Sequence, residues 1–181
     1  MKTLFYTTTL FLCCNLIQAQ KTMGIEFQAY PTGIIPGISF SEQIGDKGEI
    51  VLRLAANIID HKDFGVQDSE IGSGFGGGFG YRQTLPFCNK LFYLGLRTDL
   101  WRNILDWETF NLSGTVRSNG TTEVWVLQPT AELGLRLQKE SFRWILQPSI
   151  SFGREINIVT DGAEVGQGWI LLLGLTAGIK F

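Results

Sequence analysis

Side chains able to do chemistry are sparse in this chain, and the most reactive is His61, the single histidine of 181 residues. Asp60 precedes it and Asp63 follows two positions later, which supplies the elements of a general base or a metal ligand. One imidazole with scattered carboxylates does not have the spacing of a metal site, so His61 reads as a polar residue at a loop edge. The run Gly72 to Gly80, GSGFGGGFG, has the glycine density of a phosphate loop. No Gly-Lys-Ser/Thr follows it, however, and its phenylalanines keep the two-residue period of a strand. Asn111-Leu112-Ser113 and Asn119-Gly120-Thr121 match the N-glycosylation pattern, which short stretches meet by chance. Asp68, Glu70, Asp161 and Glu164 lie in loop-like stretches, where they either hold divalent cations or are simply solvated. No nucleophile is placed beside a base. The sequence assigns no catalytic residue, no cofactor and no metal site.

The elements that carry these residues begin after an export signal. Lys2 precedes an apolar, Thr-rich run from Leu4 to Leu16, and small Ala19 stands just before the expected cleavage point. The expected organisation is a signal peptide over 1–19 and a single domain over 20–181. Cleavage would remove Cys13 and Cys14 and leave Cys88, so an internal disulfide is excluded. It would also remove Lys2, the segment's only charge, and take the formal net charge from −2 to −3. No basic run points to nucleic acid. Hydrophobic residues make up 44% of the chain, yet no stretch after residue 20 offers the ~18 consecutive apolar residues of a membrane helix.

Instead, apolar residues alternate. In Trp169 to Phe181, WILLLGLTAGIKF, every second residue from Trp169 is apolar, and the opposite face is mixed, with Ile170, Leu172, Gly174, Thr176, Gly178 and Lys180. Seven earlier stretches alternate in the same way: Gly24 to Tyr30, Ile38 to Gln43, Glu49 to His61, Ser73 to Thr84, Leu91 to Asp106, Thr122 to Gln138 and Phe142 to Ile158. Pro31-Thr32-Gly33 with Pro36-Gly37 marks the first turn, and Gly45-Asp46-Lys47-Gly48 the second. Longer polar loops are expected over Lys62 to Gly72, Thr109 to Thr121 and Thr160 to Gly168, with short turns between them. Pro129 and Pro148 fall inside expected strands, where each removes a ladder hydrogen bond.

A soluble sandwich also alternates, but its solvated face would carry more lysine and glutamate than is present here. These polar faces carry Gly, Ser, Gln and both signs of charge: Arg53, Arg82, Arg97, Arg136, Arg143 and Lys180 against Glu26, Asp99, Glu132 and Glu155. Such a set suits a barrel lumen, where buried charges must pair. The glycine row of the fourth strand leaves room there for long neighbours such as Arg53 and Arg97. Trp125, Trp144, Trp169, Phe92, Phe142, Tyr81 and Phe181 supply residues for aromatic girdles. The fold class is therefore all-β, an eight-stranded antiparallel up-and-down transmembrane β-barrel.

Signal peptide, strand count, alternation and the aromatic Phe181 together resemble the small eight-stranded outer-membrane barrels of the OmpA/OmpX type. The resemblance implies an outer-membrane location of Gram-negative type, with Phe181 as the assembly signal. It also implies short periplasmic turns and longer outside loops, which places Cys88 in a periplasmic turn. Outer-membrane lipid, lipopolysaccharide and the barrel-assembly machinery are the implied partners, and the barrel is expected to be a monomer. Chain Thr176 departs from that assembly signal, which usually has glycine five residues before the last aromatic. Members of this group serve as anchors, surface-interaction proteins, narrow pores and, in some cases, lipid-modifying enzymes. Lipid A deacylases of this architecture pair a histidine with a serine late in the chain, and no such pair occurs here. The expected protein is a structural or surface-interaction barrel with a filled lumen.

Overall fold

The computed structural model describes residues 20–62, 66–85, 91–111, 113–138 and 141–181. The expected signal peptide, Asp63 and Cys88 lie outside the described residues. Nine strands follow in order: β1 (Lys21–Tyr30), β2 (Gly33–Ile44), β3 (Gly48–Lys62), β4 (Ser69–Thr84), β5 (Phe92–Phe110), β6 (Val116–Leu135), β7 (Trp144–Arg154), β8 (Ile156–Asp161) and β9 (Trp169–Lys180). Each pairs antiparallel with its sequence neighbours around β1 to β7, and β9 then joins β7 to β1. This closes a ring of eight strands. The additional strand, β8, continues the line of β7 beyond the ring and pairs with β6 alone.

The strands form because their sequences alternate, and closure leaves no ring edge unpaired. What differs from a globular domain is the direction in which the faces point. Ile25 (72% exposed), Leu96 (69%), Phe75 (66%) and Leu54 (65%) project outward, whereas Glu26, Arg53, Arg82, Arg97, Asp99 and Glu132 are buried. Inside, the lumen is layered along the axis. Its outer part is apolar, built from Ile35, Ile59, Leu105, Val124, Val126 and Leu172, with Trp101 beneath them. Charged and neutral polar residues fill the remainder.

Several boundaries differ from the sequence reading, each for an identifiable reason. Pro36-Gly37 lies within β2, and the first turn is confined to 31–32. The β2–β3 ladder skips the pairs at Ile35 and Pro36, where proline has no N–H to give. The loop expected from Thr109 to Thr121 is mostly hairpin, because β5 and β6 stay paired out to Phe110 and Val116. Phe110, Leu112 and Val116 are too few apolar residues to mark a strand there, so backbone pairing continues without a sustained alternation signal. The expected seventh strand is interrupted at Glu155 into β7 and β8. Pro129 sits between the Leu127–Ile156 and Thr130–Gly153 pairs, and Pro148 between Gly134–Ser149 and Leu137–Leu146, so each falls in a gap of the β6 ladder. Gly45 (φ 61°) and Gly114 (φ 76°) supply the left-handed backbone of two hairpin turns.

Candidate functional site: the charged lumen and its outer mouth

The centre of the lumen is held by a four-membered ring of alternating charge. Arg53 on β3 donates through Nη1 to Glu26 Oε1 at 2.9 Å and through Nε to Asp99 Oδ1 at 2.8 Å. Arg97 on β5 donates to the same two carboxylates, Nη1 to Glu26 Oε1 and Nε to Asp99 Oδ2, both at 3.0 Å. All four side chains are almost completely buried. Glu26 is on β1, so the contacts join strands that are not neighbours in the ring and cross the lumen. Gln28 Oε1 accepts a further bond from Arg53 Nη1 at 2.7 Å, and the guanidinium lies 5.1 Å from the Trp101 ring centroid. Trp101 is anchored in turn, donating from Nε1 to Gln128 Oε1 at 2.6 Å.

A second pair lies towards the turn end. Arg82 meets Glu132 in a fork, Nε to Oε2 and Nη2 to Oε1, each at 3.1 Å. The Tyr93 hydroxyl donates to Glu132 Oε1 at 3.1 Å, and its ring lies 4.9 Å from the Arg82 guanidinium. Further still, Arg136 pairs with Glu49, whose Oε1 accepts from the Ser41 hydroxyl at 2.6 Å. Arg53, Arg82, Arg97 and Arg136 thus face Glu26, Asp99, Glu132 and Glu49, and the formal charges cancel. Lys180 donates from Nζ to Gln20 and Gln138 at the barrel end.

Of the residues assigned to the lumen from sequence, two lie elsewhere. Arg143 precedes β7 and is exposed, because the first ladder pair of that strand is Trp144 with Ile179 and the pleat does not extend to Arg143. Its carbonyl accepts from the Lys180 backbone N–H at 2.9 Å. Glu155 occupies the break between β7 and β8, and lies at the outer mouth instead of in the ion-pair layers. Glu49 is a lumen residue outside the set expected from sequence, although the same two-residue count, extended from Arg53 through Val51, reaches it. The glycine row of β4 makes room for Arg97, as expected, with a Cβ at Gly80 lying 3.1 Å from Arg97 Cβ, and it also accommodates further neighbours. A Cβ at Gly78 would lie 1.8 Å from Asp99 Oδ1, one at Gly76 2.6 Å from the Trp101 ring, and one at Gly74 2.0 Å from Asn103 Oδ1.

At the outer mouth, His61 finds its partner across the β3–β4 hairpin. Its Nδ1 lies 3.3 Å from Glu70 Oε2, and Glu70 Oε1 accepts from the backbone N–H groups of Val66 and Gln67 at 3.0 and 3.2 Å. Asp60 instead reaches Lys62, at 3.8 Å on the surface. The Tyr30 hydroxyl donates to Asn57 Oδ1 at 2.8 Å. Asn157 donates from Nδ2 to the Val165 carbonyl at 3.1 Å, which helps to hold the loop 162–168 in place, with Val165 buried. These groups border a cavity of about 720 Å³ whose lining includes His61, Tyr30, Glu155, Asn157, Phe152 and Trp169. Burial pushes the Glu155 carboxyl above the ordinary carboxylate range, and His61 offsets part of that rise. The other loop acids are dispersed: Asp68 Oδ2 accepts from Phe110 N at 2.6 Å, while Asp161 and Glu164 are exposed. Among the described residues, no group of three or more His, Cys, Asp or Glu side chains is placed to hold a metal ion.

On the outer wall, Arg102 pairs with Glu123 at 2.7 Å, and Phe152 stacks on Trp169 with ring centroids 5.1 Å apart. The Arg154 guanidinium lies 5.8 Å from the Trp169 ring centroid. Phe181 is exposed, with its backbone paired to Lys21 in both directions at 3.0 and 3.3 Å.

No family profile and no curated protein matches this chain. Among solved structures it is similar to Neisserial surface protein A, at 13% identity and a TM-score of 0.46, over 90% of this chain and 94% of that one. It is also similar to the N-terminal β-barrel domain of Pseudomonas aeruginosa OprF, at 14% identity and a TM-score of 0.45, over 90% of this chain and all of that one.

Proposed function

We propose that the protein is an outer-membrane barrel of structural or surface-interaction type, monomeric and without catalysis, whose lumen is closed by its own side chains. The observation that carries this reading is the inversion of the faces: an apolar exterior around an interior that holds the mutually neutralising ion pairs. A large exposed apolar surface is unfavourable in water and favourable in lipid. Strands of 10 to 20 residues reach across the hydrocarbon layer, which needs about 9–11 residues in a tilted strand. Trp169 and Phe152 with Arg154 mark the outer interface, and Trp144, Phe142 and Phe181 the inner one. Lipid and lipopolysaccharide are the contacts of this wall, and the outside loops carry whatever further partners the protein has.

A filled lumen does not conduct. Purified protein reconstituted in planar bilayers is expected to leave the membrane current at its protein-free level. Stable, discrete conductance steps would replace the reading with a narrow pore, and Arg97 would then be the first selectivity candidate. Failure of the refolded protein to float with lipid vesicles would overturn membrane insertion itself. A change in lipid A mass on overexpression would establish catalysis in its place.

A further inference from the structure

Each lumen arginine has a carboxylate partner, although Glu26 Oε2, Arg53 Nη2, Arg97 Nη2 and Arg136 Nε stay without a hydrogen bond, whereas the outer mouth holds a carboxylate that no cation hydrogen-bonds. Glu155 borders the cavity and makes no hydrogen bond or ion pair through its side chain with any described residue. Asn157 Oδ1, in the same lining, is a buried acceptor without a donor. Glu70 differs, since its charge is met by two backbone N–H groups and His61. The four lumen arginines are engaged with carboxylates, and Arg154 lies over Trp169 on the outer wall. His61 is the only base among the described lining residues of this cavity, and Glu70, Glu155 and Glu164 are near it. A cation is the complementary ligand.

The wall beside the cavity determines what kind of cation fits. The β7–β9 ladder stops at Arg154 and Trp169, and beyond that point β8 has β6 on one edge and no strand on the other. The loop 162–168, instead of a ladder, fills that side. The cavity lining consequently combines Tyr30, His61 and Glu155 with the outward-facing Phe152, Trp169 and Leu171. Polar groups of the mouth therefore meet the apolar exterior at the level of the outer aromatic residues. We propose that this mouth binds an amphiphile with a primary ammonium headgroup, held between Glu155 and Asn157, its apolar chain lying along Phe152 and Trp169. The ammonium has three donors, enough for Asn157 Oδ1 and the Glu155 carboxylate together. The stacked Phe152–Trp169 pair offers an apolar slab to the chain.

This inference uses the closed-barrel reading, and its test runs in micelles, so that loss of vesicle insertion is scored separately. The barrel is refolded in an uncharged detergent, and heat-modifiable gel mobility verifies the fold of every variant. Dodecylammonium, dodecanol and Mg²⁺ are then titrated at neutral pH and followed by calorimetry. Saturable one-site binding of dodecylammonium is expected, weakened at least about tenfold in Glu155→Gln, the equivalent of losing one charge-assisted hydrogen bond. Phe152→Ala, on the exposed wall, is expected to weaken it several-fold with the barrel intact. Equal binding to wild type and Glu155→Gln would overturn the proposal, as would dodecanol binding as tightly as the ammonium. Mg²⁺ binding that depends on Glu155, with no response to dodecylammonium, would overturn it in favour of an inorganic cation site.

Discussion

Asp99→Ala is expected to destabilise the barrel by about 3–5 kcal/mol, the cost of leaving buried charges without their partner. Asp99 is completely buried and accepts from Nε of both Arg53 and Arg97, at 2.8 and 3.0 Å. Removing it leaves Glu26 as the single carboxylate facing two guanidiniums in the central ring. Urea unfolding of protein in lipid vesicles, followed by tryptophan fluorescence and gel mobility, measures the change. Asp99→Asn should fall between wild type and Asp99→Ala, since the amide oxygen still accepts one bond without carrying the charge. Arg102→Ala, which breaks the exposed pair with Glu123, should leave the transition nearly unmoved. An Asp99→Ala midpoint indistinguishable from wild type would show that the ring does not contribute to stability.

Gly78→Val should produce the next largest loss, about 1–3 kcal/mol, through overpacking against the same carboxylate. Its Cβ would stand 1.8 Å from Asp99 Oδ1, so Asp99 must leave the geometry that serves both arginines. Gly77→Val points the other way, where its Cβ would stand 3.0 Å from the Arg53 carbonyl oxygen and 3.1 Å from the Leu54 side chain, and should cost clearly less. The mechanism also predicts non-additivity. In an Asp99→Ala background the obstructing oxygens are gone, and Gly78→Val should then lose most of its effect. A double-mutant cycle with equal costs in the two backgrounds would place the strain in the backbone instead.

The same pair of residues illustrates how much of the architecture is legible in the chain. Alternation with a period of two assigns Asp99 and Gly78 each to a polar face, and it does so for every ring strand, because the pleat sends successive side chains to opposite sides. The apolar exterior, the buried positions of Glu26, Arg53, Arg82, Arg97 and Glu132, and the turn at Gly45 all follow from local pattern of this kind. Where apolar residues are few, as over residues 109–121, the pattern fades although the β5–β6 ladder continues. Near a strand end it is equally uninformative, which is why Arg143 and Glu155 share the parity of lumen residues and yet lie outside the ion-pair layers.

The sequence by itself determined which side chains share a face, since that depends only on the pleat of each strand. Tertiary structure alone decided which of them meet. The register of each pairing and the closure of β9 on β1 set the height of every side chain in the lumen. From those heights come the crossing of Glu26 to Arg53 and Arg97, the pairing of Arg136 with Glu49, and the approach of Glu70 to His61. The outer mouth depends on closure in the same way. It exists because β9 begins at Trp169, lower than β8, and no local alternation records where a neighbouring strand begins.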